Sequence, residues 1–358
     1  MFASSPFPEL LHHARLWLQA YALVLLLMGV GALLERRWPA TLLQSRAGQR
    51  LNMAYAGVYL LLTEAVKPLT AAASVAIVNA FGGGMVVLVS RGWGALASFV
   101  IVLVTIDLLE YAFHRLQHTW PVLWKLHSLH HSAVDFNVTI TLRHHWLEVL
   151  IKGCLLYPIV GVLFKVEPWI VGATSIVFMI GNYIAHLNLR VDFGRYVTWV
   201  INPQYHRLHH SIRAEHLNHN FAQLLPMWDH VFGTRWIPAK HEWPATGLDD
   251  GTQPHSVLGA FSWPLGQHAG RDAMPVRKPV AVLSKQAKLA HHAASLGESN
   301  RTVRIESDSD HASRALRTAL PPSSDTINVA ITSTHNALRK PSSPAPKPIS
   351  GGPTRKPA

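Results

Sequence analysis

The chain has 358 residues, 49% of them hydrophobic and only 15% charged, with a formal net charge of +12. That length allows one or two domains, and its single Cys154 excludes an intrachain disulfide and any multi-cysteine zinc or iron–sulfur site. The basic excess is not spread evenly, since residues 251–358 hold 14 Lys and Arg against 6 Asp and Glu, which is +8 of the +12.

Arg15–Leu34 carries no charge after its first residue and is long enough to cross a hydrocarbon core of about 30 Å. Soluble helices show a polar face, and Leu23–Leu34 has none. The segment lies too late and runs too long for a cleaved signal peptide, and its flank, ERRWP, lacks a small-residue cleavage site. It is expected to remain in the mature protein. Asn52–Ala80 is apolar but interrupted by Glu64, Lys67 and Pro68, which predicts either a kinked span or two shorter interfacial pieces. Trp93–Tyr111 is a further span, with Asp107 and Glu110 near its end. Trp146–Val166 and Pro168–Leu189, separated by Glu167, make a predicted hairpin of two more.

Arg36, Arg37, Arg46 and Arg50 follow the first span, whereas residues 82–92 offer only Arg91. The positive-inside rule places the arginine-rich loop in the cytoplasm, and counting spans then brings every histidine motif to that same side. From about Gly266 the apolar periodicity fades into Ser, Pro, Ala, Lys and Arg. Such a segment cannot bury enough surface to order itself, although Ala281–Ala294 can form a transient helix. A cytoplasmic basic tail is drawn to anionic headgroups, and nucleic-acid binding is not expected of a chain anchored this way. The predicted class is an all-α membrane protein with four to five transmembrane helices, a cytoplasmic helical cap carrying histidine boxes, and a disordered C-terminal tail. Its predicted divisions are N-terminal membrane helices over 1–92, a catalytic domain over 93–243 and the basic tail over 266–358.

Histidine spacing carries the function. His114 and His118 form HxxxH; His127, His130 and His131 form HxxHH; His206, His209 and His210 form HxxHH again. Residues three and four apart share a helix face, so each box presents its imidazoles as a cluster. Fourteen of the 23 histidines fall between His114 and His230. At this His frequency one HxxHH is expected by chance about 0.1 times in such a length, and two far less often. Neutral imidazole suits iron, zinc and copper alike, and eight boxed imidazoles exceed what one ion uses. The pattern predicts a polynuclear, all-histidine metal site.

The surrounding residues are more specific. DLLEYAFHRLQH (Asp107–His118) resembles the first box of the fatty acid hydroxylase (sterol desaturase-like) superfamily, and WKLHSLHHS resembles its second. Arg143–Glu148 is similar to an Arg-x-His-Pro-x-Glu segment, with Trp146 in place of proline. Asn182–Asn188 resembles the segment that supplies a further ligand, His186, and some relatives carry a second histidine where this chain has Asn182. PQYHRLHHS resembles the third box, and NHNF followed by WDHVFGT the closing signature. The likeness covers about Ala95–Pro238.

The resemblance implies a non-haem centre of two Fe ions that activates dioxygen, the co-substrate, beside a lipid C–H bond. Zinc can fill such a cage in isolated protein. The implied ligands are His114, His118, His127, His130, His131, His186, His206, His209 and His210. His145, His219, Asp107, Glu148, Asn182, Asn188 and Asp229 are candidates for further ligation or for orienting the ring nitrogens, as metal-bound histidines require. The implied reaction is hydroxylation, or desaturation, of a sterol, sphingoid, fatty acyl or ether lipid. No GxGxxG loop or cysteine cluster is present, so electrons are expected from a separate ferredoxin- or cytochrome b-type donor with its reductase. Two rivals are a membrane zinc hydrolase and a haem- or metal-binding membrane protein without oxygenase activity. The first would use an HExxH-type motif, absent here; the second would spread its histidines across spans at membrane depth.

Overall fold

The computed structural model describes residues 7–42, 44–266, 304–307 and 330–333, and over these it is mostly helical. Among the described residues, four helices are long and apolar enough to cross a membrane: Leu11–Arg37 within α1 (Phe7–Arg37), α2 (Arg46–Ala80), α3 (Gly92–Thr119) and α7 (Pro168–Ala185). Their outward faces expose large aliphatic side chains such as Leu26, Leu33, Leu69, Val75 and Ile176. In a span such faces meet lipid, while the helix satisfies its own backbone.

The interrupted stretch Asn52–Ala80 belongs to one continuous helix, α2, with Pro68 inside it. Lys67 pairs with Glu64 one turn earlier on the same helix. The expected span over Trp146–Val166 does not form as a single helix. It divides into α5 (Leu147–Ile151), a π-helical turn (Lys152–Leu156) and α6 (Tyr157–Leu163). Sequence explains the break. Pro158 has no N–H to donate, and the Tyr157 N–H reaches back five residues to the Lys152 carbonyl. The turn also lets Lys152 Nζ reach Glu110 Oε2 at 2.6 Å and Tyr157 donate to Glu110 Oε1 at 2.7 Å.

The helix ends sort into two poles. At one, β1 (Val86–Val87), before α3, pairs in parallel with β2 (Phe164–Lys165), before α7. There the Gly84 amide donates to the Gly161 carbonyl at 2.9 Å, and Gly84 takes φ +70-range backbone (φ +75) that only glycine adopts freely. At the other pole lie the end of α1, the start of α2 and the ends of α3 and α7. Glu35 of α1 accepts from the Val138 and Asn188 amides at 2.7 and 2.8 Å. Asn52 of α2 donates to Thr139 at 3.1 Å. Gly31 lets α1 approach closely, because a Cβ there would stand 2.8 Å from Val138 Cγ2. The broken run Leu147–Leu163 therefore still travels from the pole that holds His145 to the pole that holds β2.

This second pole carries the cap: α4 (Pro121–His131), a 3-10 turn at Val138–Leu142, α8 (Pro203–His209) and α9 (Met227–Val231). Packing continues past Trp243, since α10 (Val257–Phe261) and α11 (Trp263–Gly266) bring Ala260 and Trp263 against Tyr55 and Leu129. The Trp263 indole also donates to Ser128 at 3.0 Å. The predicted disordered tail falls on residues outside the described ones, apart from β3 (Arg304–Ser307) and β4 (Ala330–Ser333), which pair in parallel.

Candidate metal centre

Each box is placed by an ordinary helix feature. The last two turns of α3 carry His114 and His118, four apart, with ring centroids 5.1 Å apart. Helix α3 stops at Trp120, and Pro121 opens α4 at its first position, where a missing N–H costs nothing. The chain thus doubles back, and α4 presents His127 and His131 to α3, with His130 turned toward His186 and His210. His186 caps the C-terminus of α7. Asn202 caps α8 by accepting from the Tyr205 amide at 3.0 Å, and Pro203 follows it. That start fixes which face of the short helix carries His206 and His209.

These nine histidines form two buried groups. His114, His118, His127, His131 and His209 each place a ring nitrogen within 4.8 Å of all the others; His130, His186, His206 and His210 do the same. Adjacent members of the two groups touch: the His131 and His210 rings stack with centroids 4.3 Å apart. The box order is therefore split, with neighbours His130 and His131 in different groups, as are His209 and His210.

Three rings are already oriented. The Nδ1 atoms of His114, His186 and His209 lie 2.7–2.8 Å from the carbonyl oxygens of Phe221, Asn182 and His219. Each of those Nδ1 atoms donates, leaving Nε2 as a lone-pair donor facing inward. Nε2 of His114, His131 and His209, and both ring nitrogens of His118 and His127, are buried without a hydrogen-bond partner. In the second group His186 Nε2 lies 3.1 Å from His130 Nε2 and 3.0 Å from His206 Nε2, which is 3.2 Å from His210 Nε2. Nitrogens bound to one ion at about 2.1 Å stand roughly 3.0–3.4 Å apart, so the spacing fits a shared cation. Buried polar atoms left bare cost stability unless something satisfies them.

Burial, followed by the neighbouring imidazoles, pushes His130, His131, His206 and His210 well below the usual histidine range. Burial likewise lowers His186 and His209 to about 3, opposed in each by the carbonyl at Nδ1. Lowering of this kind favours the neutral ring, which keeps one N–H and offers one lone pair.

The other candidates divide by what they touch. Asp107 accepts from the Leu224 and Leu225 amides and the Trp228 indole, all at 2.9–3.0 Å, and so anchors the loop after α8 to α3. Asp229 accepts from the Phe221 and Ala222 amides at 2.8 and 2.9 Å and from Tyr205 and Thr234. It thereby fixes the carbonyl that orients His114. Asn188 bonds Thr41 and Arg207, tying the α1–α2 loop to α8. Asn182 and His219 contribute backbone carbonyls to the rings named above. His145 turns away from the centre, its Nε2 3.0 Å from the Phe261 carbonyl and its Nδ1 accepting from the Leu147 amide at 3.3 Å.

The residue that sequence reasoning passed over is His144. Its ring stacks on His130 at 4.1 Å, and its Nδ1 is 3.4 Å from Glu148 Oε2. The segment is irregular, so helical periodicity did not distinguish it from His145; its spacing of four from Glu148 was the available signal.

Residues 99–234 match the fatty acid hydroxylase family. The chain is 26% identical over 156 residues to an alkylglycerol monooxygenase of Xenopus tropicalis, covering 43% of this chain and 34% of the relative. It is 28% identical over 216 residues to the ornithine lipid hydroxylase OlsE of Rhizobium tropici, covering 59% and 63%. It is 30% identical over 156 residues to sphinganine C4-monooxygenase 2 of Arabidopsis thaliana, covering 42% and 58%. The chain thus spans less than two thirds of the length of these relatives. No solved structure shows significant similarity to it. The matched segment contains all nine clustered histidines and their carbonyl partners, and over residues 99–234 the chain is similar to the fatty acid hydroxylase family.

Proposed function

We propose that this chain is a membrane oxidoreductase that hydroxylates a lipid with dioxygen, using two iron ions held by the two histidine groups. The observation that carries this reading is the pair of buried groups, five and four histidines: Nε2 of His114, His118, His127, His131 and His209 lacks a protein partner, and the Nε2 atoms of the second group face one another at 3.0–3.2 Å. His114, His118, His127, His131 and His209 would hold one ion, and His130, His186, His206 and His210 the other. When bound, the metals supply dioxygen activation and electron storage. The overall balance is R–H plus dioxygen, two electrons and two protons giving R–OH and water, with electrons from a separate donor protein.

The chain's own residues orient and exclude. The carbonyls of Phe221, Asn182 and His219 hold three rings, and Phe136 packs beside His186 and His210 at 5.7 and 5.3 Å, keeping that side of the cage apolar. The α3 and α7 ends bring the site to the edge of the apolar spans, where an acyl chain stays in the bilayer while its polar group meets the cap. The relatives are named for alkylglycerols, ornithine lipids and sphinganine. We take the substrate to be a lipid of that kind, with a polar group next to a long chain. Arg36, Arg37, Arg46 and Arg50 sit at the cap's pole, which supports a cytoplasmic site.

The test compares lipids of cells with and without the gene under oxygen-18 gas, alongside metal analysis of the purified protein. A lipid gaining one labelled oxygen, made by an iron-loaded chain, is expected. Loss of two hydrogens without label would mean desaturation, and no altered lipid from iron-loaded protein would overturn the oxygenase reading.

A further inference from the structure

Glu148 stands between the two histidine groups. It is buried, and its Oε2 accepts from Gln117 Nε2 at 2.8 Å. The same oxygen faces His144 Nδ1 at 3.4 Å and His127 Nδ1 at 3.7 Å. His127 belongs to the first group. His144 lies flat on His130 of the second, centroids 4.1 Å apart and planes 15° from parallel. Glu148 Oε1, His127 Nδ1 and His144 Nδ1 are all buried without a hydrogen-bond partner.

In three cage histidines, His114, His186 and His209, Nδ1 is held by a backbone carbonyl. His127 has no such carbonyl, and a carboxylate occupies that side instead. We propose that Glu148 is a positioning residue shared by both histidine groups: it accepts the Nδ1 protons of His127 and of His144, aiming His127 Nε2 at the first group and pressing the His144 ring against His130 of the second. The inference rests on the metal-site reading above.

The choice of an anion has a physical reason. A buried carboxylate is costly unless it is hydrogen-bonded, and Gln117 supplies a single bond to Oε2, the oxygen that both imidazoles face. Carboxylate acceptors fix the tautomer of a metal-binding histidine and raise its basicity more than a neutral carbonyl does. They also offset the positive charge that a cage of neutral ligands acquires with its cations. Both gaps close to a hydrogen bond of about 2.9 Å with ring movements of less than about an ångström.

The experiment uses the full chain in detergent, titrated anaerobically with ferrous iron against a competing chelator. Wild type is expected to take up two equivalents. Glu148→Gln should weaken both by about 10–100-fold, Glu148→Asp should recover part of that loss, and His144→Gln should weaken one equivalent and spare the other. Unchanged affinities in Glu148→Gln, or a loss confined to one equivalent, would overturn the shared role while leaving the metal site standing. If Glu148→Gln fails to fold by elution and helical content, His144→Gln decides, and two unchanged equivalents in that variant overturn the proposal. Wild type that binds no metal overturns both readings together.

Discussion

A cage histidine has two ring nitrogens, and what one of them touches decides what the other is free to do. In His209 the His219 carbonyl occupies Nδ1 and leaves Nε2 bare among four other histidines. In His130 the partners instead belong to the second group, beginning with His186 at 3.1 Å. Single substitutions should therefore separate the two sites. His209→Ala is expected to lose metal from the group of five, and His130→Ala from the group of four, each retaining about one equivalent and no turnover. Metal analysis of the two variants and of their double mutant checks this, and two equivalents remaining in the double mutant would remove the basis of the assignment. His145 shows the same logic reversed. Both its nitrogens already have backbone partners, so His145→Gln should leave metal content unchanged.

At the scale of elements, the broken run through α5 and α6 connects the cap to the far pole while packing on α2. Gly153, in its π-helical turn, is the point of closest approach: a Cβ there would lie 2.6 Å from Thr70 Cγ2 and 2.7 Å from Thr70 Cβ. Neither atom is the far end of a flexible chain, so the helices must part. Gly153→Ala is expected to destabilise the fold by about 1–3 kcal/mol, the usual cost of overpacking. Thermal unfolding in detergent should register the loss, with two metal equivalents retained, since Gly153 faces Thr70 of α2 rather than the histidines. This element was the one least legible in the sequence. Its hydropathy reads as a span, but hydropathy does not record that Lys152 finds Glu110 across the bundle or that Pro158 removes a backbone donor.

For the whole molecule, the poles make a prediction about sidedness. The α1–α2 loop is tied to the cap by Glu35, by Asn188 on Thr41, and by Asp135 accepting from the Ser45 amide at 3.0 Å. The loop and the histidine groups must therefore share one side of the membrane. In a Cys154→Ala background, a cysteine at Arg46 should react with an impermeant thiol reagent only after the cytoplasmic face is opened. A cysteine at Val87, at the β1–β2 pole, should react from the opposite face. Labelling of both positions from one side would contradict the placing of the two poles on opposite faces of the membrane.

Sequence alone singled out eight of the nine clustered histidines by box spacing, and the helical membrane class by hydropathy. Box spacing is a local property, because three- and four-residue intervals fix a shared helix face wherever the helix lies. Long uncharged runs likewise exclude water by composition alone. Tertiary structure alone decided how the histidines partition. His130 and His131 are neighbours in sequence but point to different groups, because α4 is wedged between α3 on one side and the α7–α8 connection on the other. It also decided that Asp107 and Asp229 brace loops, that His144 rather than His145 faces Glu148, and that α10 and α11 close over α4. Each of these depends on which distant backbone amide or carbonyl arrives opposite a side chain, and spacing along one segment carries no record of that.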